Sequence, residues 1–315
     1  MLFLDLGLFN KKSHAIGNKE AAIWSLVWIT LSMAFSGVIY FTFKTDSPEL
    51  ALEKFTQFQS AYWIEKALSV DNLFVFILVF RFFNVPKETH HKVLFWGIIG
   101  AILFRAIFIF TGIGIVNLTY LPTLVVFEQA VTINVVLTLF GFFLIYAGFK
   151  SWFVKDYDDE QKDFSKSLGA KTVYKLFKVS KEFDGDKFFT IENGIRVATP
   201  LLVVIGVIEF TDLLFAVDSI PAIFAIAPND PFILYTSNIF AILGLRALYF
   251  LLGNFIHMFS KLKFGLAIIL AFIGFKMVIA PFFHIASLIS LGIVGGVLLL
   301  SLGASLVFPE KKEST

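Results

Sequence analysis

The sequence predicts an all-α, polytopic membrane helix bundle of about eight spans, built from two inverted three-helix repeats. Three observations carry this prediction. Hydrophobic residues fill 57% of the 315 positions and charged residues only 16%, against roughly 25% charged in an ordinary soluble domain. The apolar residues fall in runs of about 20, the length an α-helix needs to cross a hydrocarbon layer about 30 Å thick. A set of polar landmarks recurs in the same order in both halves of the chain. The composition excludes a soluble enzyme, a disordered chain and a disulfide scaffold. With no cysteine, thiolate metal ligands are excluded too.

Residues 1–10 are apolar but carry Asp5 and precede Lys11 and Lys12, the reverse of the order in a secretory leader. Spans then follow at 21–43, 60–82, 93–114 and 132–151, and again at 199–226, 231–253, 264–283 and 285–308. The stretch 115–131 is apolar but short and interrupted by Pro122. It reads as a re-entrant or interfacial segment rather than a ninth span. The positive residues support eight. With loops assigned alternately to the two sides, 20 of the 26 Lys and Arg fall on one side and only Lys44 and Lys54 on the other. Lys66, Arg105, Arg246 and Lys276 lie inside spans. The positive-inside rule then puts both ends and the long loop in the cytoplasm, with the bilayer of the cytoplasmic (inner) membrane as the partner.

The organisation expected is an N-terminal segment with the first span (1–59), a first repeat (60–151), a cytoplasmic loop domain (152–198), a second repeat (199–283) and a last span with its tail (284–315). Residues 151–198 hold nine acidic and nine basic residues. Such a balance describes a solvated domain and no nucleic-acid surface. Near its end, Asn193-Gly194 supplies the two positive φ angles of a type I′ turn, which predicts a β-hairpin over 188–197.

Three landmarks define the repeat. Glu65, Asp71 and Asn72 line up with Asp212, Asp218 and Ser219; Arg105 lines up with Arg246; and Gly148-Phe-Lys150 lines up with Gly274-Phe-Lys276. Equivalent spans lie three apart, an odd number, so the two repeats cross the membrane in opposite directions. Transporters with this arrangement hold their substrate near the midplane, between the repeats.

Ionisable groups inside a span are costly and point to function. Five acids stand there: Glu65 and Asp71 in the second span, Glu209, Asp212 and Asp218 in the fifth. With the Asn72 amide and the hydroxyls of Ser69, Thr211 and Ser219 they offer only hard oxygen donors, which suit Mg, Ca or Mn. On a regular helix Asp71 lies about 120° from Glu65, and Asp218 about 120° from Asp212. Pro221 removes an N–H, so a break in the fifth span is expected there, which would free carbonyls as cation ligands. A plainer reading pairs the acids with arginines inside the bundle, for example Asp71 with Arg105 and Asp218 with Arg246. Of the histidines, His90 and His91 read as a solvated pair in a loop, while His257 and His284 lie near span ends, away from the carboxylates.

Several runs together point to a family. They are Tyr62-Trp-Ile-Glu65-Lys66-Ala-Leu-Ser69-Val-Asp71-Asn72, Ala198-Thr-Pro-Leu201, Glu209-Phe-Thr-Asp212-Leu-Leu-Phe-Ala-Val-Asp218-Ser-Ile-Pro-Ala222 and Thr236-Ser-Asn through Arg246-Ala247. They resemble the TerC/Alx family, multi-span membrane proteins named for tellurium resistance and grouped with LysE-type cation exporters. The resemblance runs from about Leu4 to Phe283. It implies that the family's intramembrane acids fall on Glu65, Asp71, Glu209, Asp212 and Asp218, that the ion is Mn²⁺, and that it moves outward. Two departures stand out. The family pattern has one more N-terminal helix, of which residues 1–9 resemble the tail, and segment 115–131 is an addition.

The function expected is export of a divalent cation, manganese first, by alternating access. Glu65, Asp71, Asn72, Glu209, Asp212 and Asp218 are the metal ligands; the ion is cargo, and no resident cofactor is expected. The alternative is a membrane scaffold or insertion factor, acting through its cytoplasmic loop on stress-protein partners or as a homo-oligomer. An enzyme is not expected, because no HExxH, GxSxG or comparable nucleophile arrangement is present.

Overall fold

The computed structural model describes residues 17–126, 129–153, 163–255, 261–283 and 285–307, without the side chains of Asp71, Asp218 and a few others within those ranges. Residues 1–16, His257 and His284 lie outside it. The long helices are α1 (Asn18–Lys44), α2 (Pro48–Phe82), α3 (His90–Leu118) and α4 (Val135–Phe153). After a short polar helix α5 (Leu168–Leu176) come α6 (Pro200–Phe224), α7 (Pro231–Leu243), α8 (Leu245–Phe255), α9 (Leu262–Ile279) and α10 (Ser287–Val307). Entry points follow familiar cap chemistry. The Ser47 hydroxyl accepts from the Leu50 N–H and Pro48 occupies the first turn. Asp230 accepts from the Ile233 N–H ahead of Pro231.

Seven segments among the described residues are long and apolar enough to cross a membrane, with α7 and α8 together forming one of them. The eighth expected span is α2. It runs for 35 residues, long enough, but carries too many charges to qualify by composition. Its place explains this: α2 packs against α1, α6, α7 and α10 at the centre of the bundle. The outside of the bundle is apolar instead, with Leu103, Ile107 and Phe110 of α3, Phe142 and Phe149 of α4, and Leu299 and Leu300 of α10 all exposed. A soluble fold would bury such residues; a lipid-facing one displays them.

One expectation about a helix break is corrected. α6 continues through Pro221 to Phe224. The proline sits in the final turn, where its missing N–H costs one hydrogen bond and ends the helix early rather than breaking it. The break lies in the sixth span, at Gly244 between α7 and α8. There the buried Lys66 ammonium donates to the Ala241 carbonyl at 3.2 Å, one of the terminal carbonyls a helix end leaves unsatisfied.

Segment 115–131 is helical only to Leu118 among its described residues. After α3 the chain forms a small antiparallel ladder, β1 (Leu124–Val126) with β2 (Gln129–Val131), closed by a Tyr120–Asn134 bridge. Among its described residues neither a ninth span nor a re-entrant helix forms. Asn134 anchors the exit, donating to the Val116 carbonyl and accepting from the Leu137 N–H. The expected hairpin is present as β3 (Phe189–Glu192) with β4 (Ile195–Ala198). Asn193 and Gly194 have φ of 52° and 78°, as a type I′ turn requires.

The inverted repeat is visible in the tightest helix pair, α4 against α9. A Cβ on Gly141 would stand 2.9 Å from the Gly274 carbonyl oxygen, and one on Gly148 2.6 Å from that of Ala267. Positions rise along one helix as they fall along the other, so the pair is antiparallel. Aligning Gly148 with Gly274 makes Gly141 equivalent to Ala267. The repeat's own equivalence therefore exchanges these two contacts, as a two-fold axis in the membrane plane would. It likewise exchanges the α2–α7 interface with the α3–α6 interface, and both are formed.

Candidate ion-binding site

α2, α3, α6 and α7 bring their polar groups together in the middle of the bundle. Arg105 of α3 is 1% exposed and Glu65 of α2 is 0% exposed, and the two form an ion pair. The other guanidinium nitrogen reaches Asp212 of α6 at 3.4 Å. Arg105 also donates to the Asn238 side-chain carbonyl of α7 at 3.3 Å and to the Ser219 hydroxyl at 3.4 Å. Ser69, one turn beyond Glu65, donates to its carboxylate at 3.5 Å. A single cation thus holds one acid from each repeat. The plainer pairing expected from sequence, Asp71 with Arg105, involves a side chain outside the described residues; among those described, Arg105 pairs with Glu65 and Asp212. Those two are repeat equivalents, so the two-fold relation brings them together.

The cluster is not fully satisfied. Among the described residues, Glu65 Oε2, Glu209 Oε2, Arg105 Nε and Asn238 Nδ2 are buried without a hydrogen-bond partner. A buried carboxylate oxygen in that condition costs about 1–3 kcal/mol or more, so such atoms mark where a further ligand would be stabilised. Glu209 lies one turn before Asp212, its carboxylate pressed against the bare face of Gly100 on α3. Any side chain at position 100 would overlap it. Asn72 is buried on α2, on the face of Glu65 and Ser69. Beside the cluster is a small cavity of about 20 Å³ that Asp212 and Arg246 line together with apolar residues of α2, α3 and α7.

Of the six ligands expected, Glu65 and Asp212 meet at Arg105, and Glu209 and Asn72 stand within a turn or two of them. The side chains of Asp71 and Asp218 lie outside the described residues. Among the described residues no three His, Asp or Glu stand close enough to hold a metal. His90 is engaged elsewhere, bonded to the Val85 carbonyl and the Tyr249 hydroxyl. Asn238 and Gly100 were missed by sequence reasoning. The signal for Asn238 was available, since a lone amide within an apolar run is as unusual as a lone acid. Gly100 has no such signal, because its role appears only when α6 lies against it.

The profile of the Integral membrane protein TerC family matches residues 50–313. The chain belongs to that family. Its relatives include a membrane protein of Myxococcus xanthus named STKORF319, 41% identical over 98% of this chain and 88% of its own length. Alx of Escherichia coli (strain K12), whose name proposes a membrane-bound redox modulator, is 41% identical over 96% of this chain and 89% of its own. The Alx of Salmonella typhi is 43% identical over the same shares. No solved structure matches.

Proposed function

We propose that this TerC-family protein exports a divalent metal cation, manganese first, through the acidic site between its two repeats. The observation that supports this reading is the meeting of Glu65 and Asp212, one acid from each repeat, on the buried Arg105, with unpartnered carboxylate oxygens left on Glu65 and Glu209. In an inverted-repeat transporter, a site with ligands from both halves is the one whose geometry changes as the halves rock. Oxygen-only donors favour Mn, Mg or Ca. In this arrangement the guanidinium supplies the positive charge that the cargo would bring. An arriving cation competes with Arg105 for Glu65 and Asp212, and Asp71, Asn72, Glu209 and Asp218 complete its shell. Return of the arginine, or protonation of a carboxylate, releases it.

The Alx relatives' name speaks of redox modulation. Thiol chemistry cannot supply it in this chain, which has no cysteine. Removal of a redox-active metal from the cytoplasm would supply it without any thiol.

The test is growth of a manganese-sensitive host. The protein should protect it, and Asp71→Asn and Asp218→Asn, present in the membrane at wild-type level, should not. Protection by both variants equal to wild type overturns the site. If deletion of the cytoplasmic loop abolishes function while ion flux persists, the scaffold reading takes its place.

A further inference from the structure

We propose that α5 is an interfacial anchor that binds the anionic phospholipid headgroups of the cytoplasmic leaflet, on the helix flank opposite its contact with α6. This rests on the positive-inside orientation and is independent of the identity of the transported ion. Sequence reasoning treats the whole 151–198 segment as solvated; the structure distinguishes this helix from the rest.

The depth of α5 is fixed by its partner. Gly169 packs on the Gly206 backbone and Val173 on the open face of Gly206, so the two helices touch at the closest separation side chains allow. α6 has 25 residues, about 37 Å of helix, some 7 Å more than the hydrocarbon thickness of about 30 Å. With that excess shared between its ends, Gly206, about 9 Å from the start of α6, lies roughly 5 Å inside the hydrocarbon edge. α5 is therefore held at the headgroup–acyl boundary, where interfacial helices ride.

The faces of α5 match that position. At 100° per residue, Gly169, Ala170 and Val173 form the buried face on α6. Leu168 and Leu176, 59% and 67% exposed, share a flank about 80° wide, and Lys171 and Lys175 occupy the flank beside it. Between Leu168 and Lys181 the chain has four lysines and no acid. Two large exposed leucines with lysines along one edge form the pattern that buries its apolar flank among acyl chains and its ammonium groups among phosphates. A water-soluble protein partner would need neither the fixed depth nor the acid-free lysine edge. The consequence reaches the site, because α5 lies against the first turns of the helix that carries Glu209 and Asp212.

The absence of cysteine makes the test direct. Leu176→Cys and, as a control on the hairpin, Glu192→Cys are each labelled with an environment-sensitive fluorophore on the full chain. The labelled proteins are then reconstituted in vesicles of phosphatidylcholine with phosphatidylglycerol or of phosphatidylcholine alone. The expected result is blue-shifted emission from position 176, quenched by doxyl-labelled lipid, with quenching several-fold stronger in the anionic vesicles. Lys171→Gln with Lys175→Gln should bring it down to the neutral-vesicle level. Water-like emission at 176 without lipid quenching in both vesicles overturns the anchor. Equal quenching in both vesicles overturns the headgroup claim.

Discussion

Arg105 and Arg246 are equivalent in the repeat, yet their surroundings differ. Arg105 is enclosed by Glu65, Asp212, Ser219 and Asn238. Arg105 stands within the unbroken 29-residue helix α3, whereas Arg246 stands two residues past the break at Gly244 and lines a cavity with Asp212. Elsewhere the symmetry holds closely, as in the exchanged glycine contacts of α4 and α9. The scaffold helices thus keep the two-fold relation, whereas the polar helices depart from it. An alternating-access device requires that combination: two halves able to exchange roles, resting at any moment in unequal arrangements.

The largest effect expected is from Arg105→Leu. It removes the buried cation that Glu65 and Asp212 share and should cost about 3–5 kcal/mol, read as a lowered melting temperature in detergent. Gly244→Ala puts a methyl against the Lys66 ammonium at the break and should cost about 1–3 kcal/mol, against about 0.5 kcal/mol or less for Leu103→Ala at the equivalent exposed position of α3. Equal losses at the two positions would remove the asymmetry. Next in size are Gly148→Ala and Gly274→Ala, each about 1–3 kcal/mol from overpacking against a facing carbonyl. Because the repeat makes these two glycines equivalent, the two losses should agree closely; a large difference would break the symmetric half of the comparison.

Much of this was legible in the sequence, for physical reasons. Span positions follow from unbroken apolar runs, the inverted relation from the ordered landmarks, and the hairpin from Asn193-Gly194. The acids were visible because charge in an apolar run is conspicuous. Their partners were not, because which acid Arg105 meets depends on the two-fold packing of α2 on α6, and spacing along either helix is silent on that. The break at Gly244 escaped notice for a similar reason. A glycine in an apolar helix is ordinary, and only Lys66, 178 positions earlier, takes up a carbonyl that the break leaves open. Pro221 misled because a proline in a last turn ends a helix where one in its middle would bend it.

The smallest effect expected is local. Gly194→Ala puts a Cβ on a residue with φ of 78° and should weaken the hairpin by about 1–2 kcal/mol. Faster amide exchange would appear in residues 189–198, with the membrane helices unchanged. Spread of the effect into α6 would show that the loop and the site are coupled more strongly than the contact at Gly169 implies.

The most direct measurement is Mn²⁺ flux in proteoliposomes holding wild type, Glu65→Gln or Asp212→Asn, with Ca²⁺, Mg²⁺ and Zn²⁺ compared. The account predicts manganese movement by wild type and at least a tenfold loss in each variant, about 1.4 kcal/mol or more on the transport barrier. Flux at the wild-type rate in both variants, or none in wild type for any of the four ions, would contradict it.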